Sequence, residues 1–307
     1  MRLTLSLSLL ILAVCLFGTQ AKAAQNAPLL WRIEGSPPSY LFGSIHSANP
    51  TLNALPPAVD RAFGQSHAFY GELSLDPTTL MEAGRAFQLP EGQRLSERLA
   101  PATQERLNRV LARISPTLSL SVLDRLRLWA LTTTLVVLDE KIRYDNAPIM
   151  DQRLYERALQ AGKQTGALET VSEQAGVFEA LDWDEQLQLL EATLAYIEQA
   201  QAQDRPLLAE TYRVYQAGDP EAFLDLLDEQ MEVPLLLKLK LRRRLIDERN
   251  RRMAERIQGL LKTAPHTPFF FTIGAAHFAG HQGVQRLLRE RGFSVERVKA
   301  QAFSRSE

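Results

Sequence analysis

Cysteine is all but missing from this chain: of its 307 residues, only Cys15 carries a thiol. That residue sits in an N-terminal apolar stretch. The chain downstream therefore has no sulfur for a disulfide, a cysteine nucleophile or a zinc–thiolate cluster. An excess of one charge sign is missing too. With 35 basic and 36 acidic residues the formal net charge is −1, so no domain-wide positive field is available to neutralise phosphates, and nucleic acid is excluded as a partner. Long apolar runs are scarce. One follows Arg2, LTLSLSLLILAVCLFG, and it is too short to span a bilayer comfortably. What remains is 45% hydrophobic and 23% charged, the balance of a folded globular protein and not of a disordered one.

Ala21-Lys22-Ala23 follows the apolar run and supplies the small-x-small pattern of a signal-peptidase site. Residues 1–23 read as a secretory signal peptide and 24–307 as one domain, periplasmic or secreted after cleavage. Removing Arg2 and Lys22 from the 35 basic residues leaves 33 against 36 acidic ones, a net charge of −3. No second long apolar run follows, so the mature chain is expected not to span a membrane.

The pattern along the chain predicts an α/β fold whose central sheet is built from N- and C-terminal strands and covered by a largely helical middle; a split into an α/β core and a helical lobe is the main alternative. Leu29–Ile33 and Ser39–Phe42 flank the turn cluster Gly35-Ser36-Pro37-Pro38 and read as a hairpin. Ala68–Tyr70 reads as a buried strand. Residues 78–262 are mostly helical in pattern: Leu107, Val110, Leu111 and Ile114 recur at helical spacing, as do Trp183, Leu187, Leu190, Leu194 and Ile197. Leu123–Leu138 is apolar nearly all round and predicts a buried helix. Asp219-Pro220 marks a helix start, and Gln164–Leu168 an internal strand. Pro268–Ile273, with its three phenylalanines, reads as a strand buried on both faces. A helix over 282–290 and a last alternating strand over 293–298 complete the expectation.

A strand followed by Gly-x-x-His occurs twice, as Tyr40-Leu41-Phe42-Gly43-Ser44-Ile45-His46 and as Phe271-Thr272-Ile273-Gly274-Ala275-Ala276-His277. Glycine allows a sharp turn or a close approach at the strand end. The histidine then lies just past the carboxyl end of a strand, where open α/β sheets place their ligands. Phe69-Tyr70-Gly71-Glu72 adds a carboxylate in the same setting. Two imidazoles and a carboxylate suit a divalent metal with open positions, or acid–base chemistry.

These segments, with AGKQTGALETVSEQ at 161–174, the ERN ending at Asn250 and the stretch 269–298, make the sequence similar to the TraB/GumN family, which includes the Tiki-type metalloproteases. The resemblance runs from about Leu30 to Val298. It implies a fold related to haem- and iron-linked proteins and to erythromycin esterases, divalent metal use in the protease branch, and His46, His277 and Glu72 as the defining residues. The expected function is thus an exported metal-dependent hydrolase of peptidase type, acting on a peptide or another exported substrate. His46 and His277 hold manganese, cobalt or zinc, and Glu72 is either a ligand or the general base. The alternative is a non-catalytic exported protein that sequesters a peptide, haem or iron.

Around this set, Asn250 interrupts the apolar stripe Ile246, Met253, Ile257 and Leu260, with Arg249 beside it. A polar group there either makes a core hydrogen bond or reaches the site. Glu169, after the internal strand, either joins the same sheet edge or belongs to a helix start capped by Thr170. Arg249, Asn250 and Glu169 are the candidate substrate-binding residues. The basic run 238–244 reads as a solvated helix face, and His67, His266 and His281 are given no role.

Overall fold

The computed structural model describes residues 28–299; the signal peptide expected at 1–23 lies outside the described residues. Six strands, β1 (Leu30–Ile33), β2 (Ser39–Ser44), β3 (Ala68–Gly71), β4 (Gln164–Ala167), β5 (Phe269–Gly274) and β6 (Val295–Arg297), form one sheet in the order β4-β3-β5-β2-β1-β6. The inner pairs β4–β3, β3–β5 and β5–β2 are parallel. The β2–β1 and β1–β6 pairs are antiparallel. The C-terminal strand β5 thus lies between two N-terminal strands. Its neighbours on both sides run the same way, so the carboxyl ends of β2, β3 and β5 share one edge.

The three phenylalanines explain how β5 becomes central. Side chains alternate faces along a strand. Phe269 and Phe271 enter the core on one face with Leu41, Met253, Ile257, Phe278, Val284 and Leu288. Phe270 enters the other with Phe42, Phe63, Phe69, Leu154 and Tyr155. All three phenylalanines are at most 2% exposed; full burial of each is worth about 1.5–3 kcal/mol. Only a strand covered on both faces can realise both gains. One cover contains the helices Glu221–Gln230, Glu248–Thr263 and Val284–Glu290, and the other contains Pro57–Gln65 and Met150–Gln160.

Much of the middle does not cover the sheet. The helices Pro101–Ile114, Leu128–Arg143 and Trp183–Ala202 pack on one another around Leu107, Leu111, Leu131, Leu135, Leu190 and Leu194, a core that contains no strand residue. The expected buried helix over 123–138 begins later, at Leu128, after a short separate turn of helix at Leu120–Leu123. Asp124 is the reason. It is buried, and its carboxylate accepts from the Ser96 backbone N–H at 2.8 Å and from Ser96 Oγ at 2.9 Å. This anchor bends the chain between the two pieces. The C-terminal helix likewise begins at Val284, and β6 is confined to three residues.

Helix starts follow the side chains that cap them. Thr170 and Asp182 each form a reciprocal capping box, with Glu173 and Glu185 respectively. The basic run continues from the helix Leu235–Arg242 into a π-helical turn, Arg243–Asp247, directly before Glu248–Thr263. Such turns are rare and frequently occur at functional sites. Here the turn sets the phase in which Arg249 and Asn250 meet the sheet edge. No helix among the described residues is long and apolar enough to cross a membrane.

Candidate functional site

The strand ends bring His46, Glu72 and His277 to one edge of the sheet. Register pairs Ser44 with Gly274 and Tyr70 with Phe271, so the three chain segments leave β2, β5 and β3 side by side. Gly274 shows how close they come. A Cβ placed on it would lie 3.1 Å from Glu72 Oε1, 3.6 Å from His277 Cδ2 and 3.9 Å from His46 Nε2. Its φ is −51°, so it is not a left-handed turn. This glycine is needed for close approach: its N–H donates to Glu72 Oε1 at 2.7 Å, and the carboxylate occupies the room a side chain would take.

His277 is buried and rigid. It lies on a short 3₁₀ turn, Ala275–Phe278, whose last residue stacks on Trp31 with centroids 4.2 Å apart. Its Nδ1 faces Asn250 Oδ1 at 2.5 Å. The Asn250 amide also donates to the carbonyls of His277 at 3.1 Å and Gln282 at 2.8 Å. Those two carbonyls orient the amide, so its oxygen accepts from Nδ1–H. The Nε2 lone pair is left facing Glu72 Oε1 at 3.8 Å. Burial, reinforced by the positive charge of Arg249, pushes the imidazole down to about 3, so His277 is neutral at physiological pH.

His46 is held differently. Its side chain is 55% exposed, and its Nδ1 lies 2.9 Å from Asp151 Oδ2. The other Asp151 oxygen accepts from Ser44 Oγ at 2.6 Å. Asp151 sits in the first turn of the helix Met150–Gln160, which is docked by the Met150 N–H on the Ser47 carbonyl at 3.1 Å. The charge of Asp151 raises the His46 imidazole to about 9. Here too Nδ1 is engaged and Nε2 is turned toward the Gly274 edge.

Glu72 is fixed from the other side. Its Oε2 accepts from Arg249 Nη2 at 2.6 Å and from the Gln174 amide at 3.3 Å. Burial would raise this carboxyl, but Arg249, then both histidines and the Gly274 N–H, offset it and hold the group well below the usual carboxylate range. Arg249 also binds Glu169, through Nε at 2.9 Å and Nη2 at 2.6 Å. Glu169 is fully covered, with Arg252 at 3.4 Å as a second cationic neighbour.

Of the sequence-derived candidates, His46, Glu72 and His277 all reach within 4 Å of the Cβ position of Gly274, Arg249 touches Glu72, and Asn250 touches His277. Glu169 lies at the same edge, its backbone N–H on the Glu72 carbonyl at 2.8 Å, but its carboxylate is held by Arg249 and Gln174 and presents no free surface to a ligand. Neither Ser44 nor Asp151 was singled out from sequence, although Ser44 lies inside the first glycine–histidine motif. Among the described residues, no three imidazole, carboxylate or thiol groups are gathered closely enough to enclose a metal ion as they stand.

The TraB/PrgY/gumN family model matches residues 29–297. The chain belongs to the TraB/PrgY/gumN family. The chain is similar to zebrafish (Danio rerio) Metalloprotease TIKI1, 29% identical over 88% of this chain and 63% of that protein, and to human Metalloprotease TIKI1, 28% identical over 95% and 69%. A Metalloprotease TIKI homolog of the sponge Amphimedon queenslandica is 27% identical over 90% and 62%. The chain thus spans roughly three fifths to two thirds of the length of these relatives. No solved structure matches it. The matched span holds both glycine–histidine motifs, Glu72 and the Arg249-Asn250 pair.

Proposed function

We propose that this TraB/PrgY/gumN protein is an exported metal-dependent peptidase whose metal is held by His46 and His277, with Glu72 as the third donor. The observation that carries this reading is the matched orientation of the two imidazoles. Each has Nδ1 taken by a side-chain oxygen, Asp151 or Asn250, and each turns Nε2 toward the Glu72 side of Gly274. Metal-binding histidines are typically oriented in this way by an acceptor on the remote nitrogen. The donor set, nitrogen and oxygen without sulfur, suits manganese, cobalt or zinc. The TIKI relatives carry metalloprotease in their names, which favours a peptide as substrate over other hydrolysable groups. Export rests on the apolar run and the Ala21-Lys22-Ala23 pattern of residues 1–23.

Each residue has a distinct task in this reading. A divalent ion supplies Lewis-acid polarisation of a scissile carbonyl. Glu72 gives one oxygen to Arg249 and Gln174, so Oε1 is the atom left facing the histidines. Arg249 keeps that carboxylate ionised and fixed. Asn250 holds His277 in the tautomer with a free Nε2, and Asp151 does the same for His46. The His46 proton must leave before Nε2 can accept an ion, which couples ion uptake to pH.

The test is metal titration of the metal-free protein by calorimetry, together with cleavage of a mixed peptide pool. The wild type is expected to bind one Mn²⁺, Co²⁺ or Zn²⁺ per chain and to cleave. His46→Ala and His277→Ala are expected to abolish both activities with the helical circular-dichroism signal kept. Stoichiometric metal in both variants overturns the assignment. One peptide bound per chain with no turnover supports sequestration instead.

A further inference from the structure

A cavity of about 140 Å³ opens beside His46 and Glu72, at the carboxyl end of β3. Asp151 and Gln174 also line it, and the remaining side chains are Phe69, Leu73, Leu75, Ile149 and Tyr155. We propose that this cavity is the specificity subsite of the enzyme and takes one bulky apolar side chain, leucine or phenylalanine, from an extended peptide substrate. The proposal rests on the peptidase reading above for what happens next to the cavity, but not for what enters it.

Three features support an apolar occupant. The first is size. A cavity of about 150 Å³ lined by leucine, isoleucine and phenylalanine accommodates benzene, so this one fits a phenyl ring or an isobutyl group and little more. The second is the state of its walls. Phe69 and Tyr155 are buried and locked edge to face at 6.4 Å, giving a rigid floor. Leu73 and Ile149 are only half-buried and belong to none of the packed clusters among the described residues. Their apolar surface faces the cavity instead of a core. The third is the engagement of the carboxylates at its rim, Glu72 having one oxygen on Arg249 and the other on the Gly274 N–H. Asp151 has both oxygens engaged, by Ser44 and His46, and the Gln174 amide is shared between Glu72 and Glu169. A cationic side chain entering here would lose water without gaining a free carboxylate. Because His46 and Glu72 form the polar rim, a side chain seated in the cavity brings its own backbone to the candidate centre.

The test uses the full chain and a set of peptides identical except at one guest position, which carries phenylalanine, leucine, alanine or lysine. Binding is measured without metal, by fluorine NMR of a para-fluorophenylalanine peptide displaced by each of the others. Cleavage is measured separately with Mn²⁺ added. Phenylalanine and leucine guests are expected to bind, and to raise kcat/KM, about 10- to 100-fold over alanine, with lysine weakest. Ile149→Trp, which fills the cavity, is expected to bring phenylalanine and alanine guests within about threefold in binding. If that variant misfolds by circular dichroism, Leu73→Ala serves instead. By enlarging the cavity it should shift preference toward a naphthyl guest. Equal binding of all guests overturns the subsite. Guest discrimination in binding with no cleavage upholds the subsite and overturns the peptidase reading. Neither binding nor cleavage overturns both.

Discussion

The two glycine–histidine motifs are nearly interchangeable as sequence, yet their histidines occupy opposite environments. His277 is enclosed, oriented by a neutral amide, and pushed down to about 3. His46 is more than half exposed, oriented by a carboxylate, and raised to about 9. A shared strand–Gly–x–x–His pattern therefore fixes position but not protonation. Position comes from parallel neighbours in one sheet. Protonation comes from whichever element packs over the strand end, the helix Glu248–Thr263 for His277 and Met150–Gln160 for His46. One imidazole always offers a lone pair; the other offers it only after losing a proton.

The largest effect on this contrast is expected from Arg249→Met. The guanidinium is nearly enclosed and binds two covered carboxylates, Glu72 and Glu169. Removing one partner of a buried ion pair leaves uncompensated charge, a loss of about 3–5 kcal/mol. Urea unfolding of the metal-free variant should show that loss. The Glu72 carboxyl should titrate at higher pH, and His277, freed from the cation, should also move upward from about 3. Unchanged stability would mean that solvent replaces Arg249 freely and that the enclosed half of the site is less enclosed than its geometry implies.

Asn250→Leu comes next. Leucine suits the helix stripe, as Ile246 and Met253 on either side show, and the sequence pattern alone allows it without loss of fold, with the cost falling on the site. The structure does not. The amide serves His277 Nδ1 and two backbone carbonyls. Leaving a buried group unsatisfied costs about 1–3 kcal/mol, so thermal unfolding should shift downward even without metal. His277 should also lose its single tautomer, visible in the nitrogen shifts of the ring. A stable variant with unchanged ring shifts would reduce Asn250 to a packing residue.

These expectations show what could be read from the sequence. The alternating burial of Phe269, Phe270 and Phe271 follows directly from strand geometry, and with it the central place of β5. The strand ends carrying His46, Glu72 and His277 were equally legible, because glycine after an apolar run marks such an end. Their partners were not. Asp151 lies 107 residues from Ser44 and 105 from His46, and reaches them only because the first turn of the helix Met150–Gln160 docks just past the end of β2. A helical stripe announces that one face is buried without saying against what. For the same reason the separate core of Leu107, Leu131 and Leu190 could not be told from a layer on the sheet. The late start of the helix Leu128–Arg143 was hidden as well, since it depends on Asp124 meeting Ser96.

Asp151→Asn is the gentlest change and the sharpest test of the contrast. It keeps the shape beside His46 and removes only the charge. In wild-type protein without metal, the His46 resonance should titrate near 9, and His277 should show no transition above about 3. In the variant, His46 should fall toward the ordinary value of about 6.5 while His277 stays where it is. Stability should follow the same sign. A histidine raised in the folded state contributes stability fully below its unfolded value of about 6.5, and that contribution disappears as pH rises through the folded value. Wild-type protein should therefore lose stability between about 6.5 and 9, and the variant should be flat across that window. Ser44→Ala, which loosens Asp151 but leaves its charge, should produce a smaller shift in the same direction. If His46 still titrates near 9 in Asp151→Asn, the carboxylate raising it is Glu72, not Asp151. Both histidines would then answer to the same charge, and the difference between the two motifs would reduce to exposure alone.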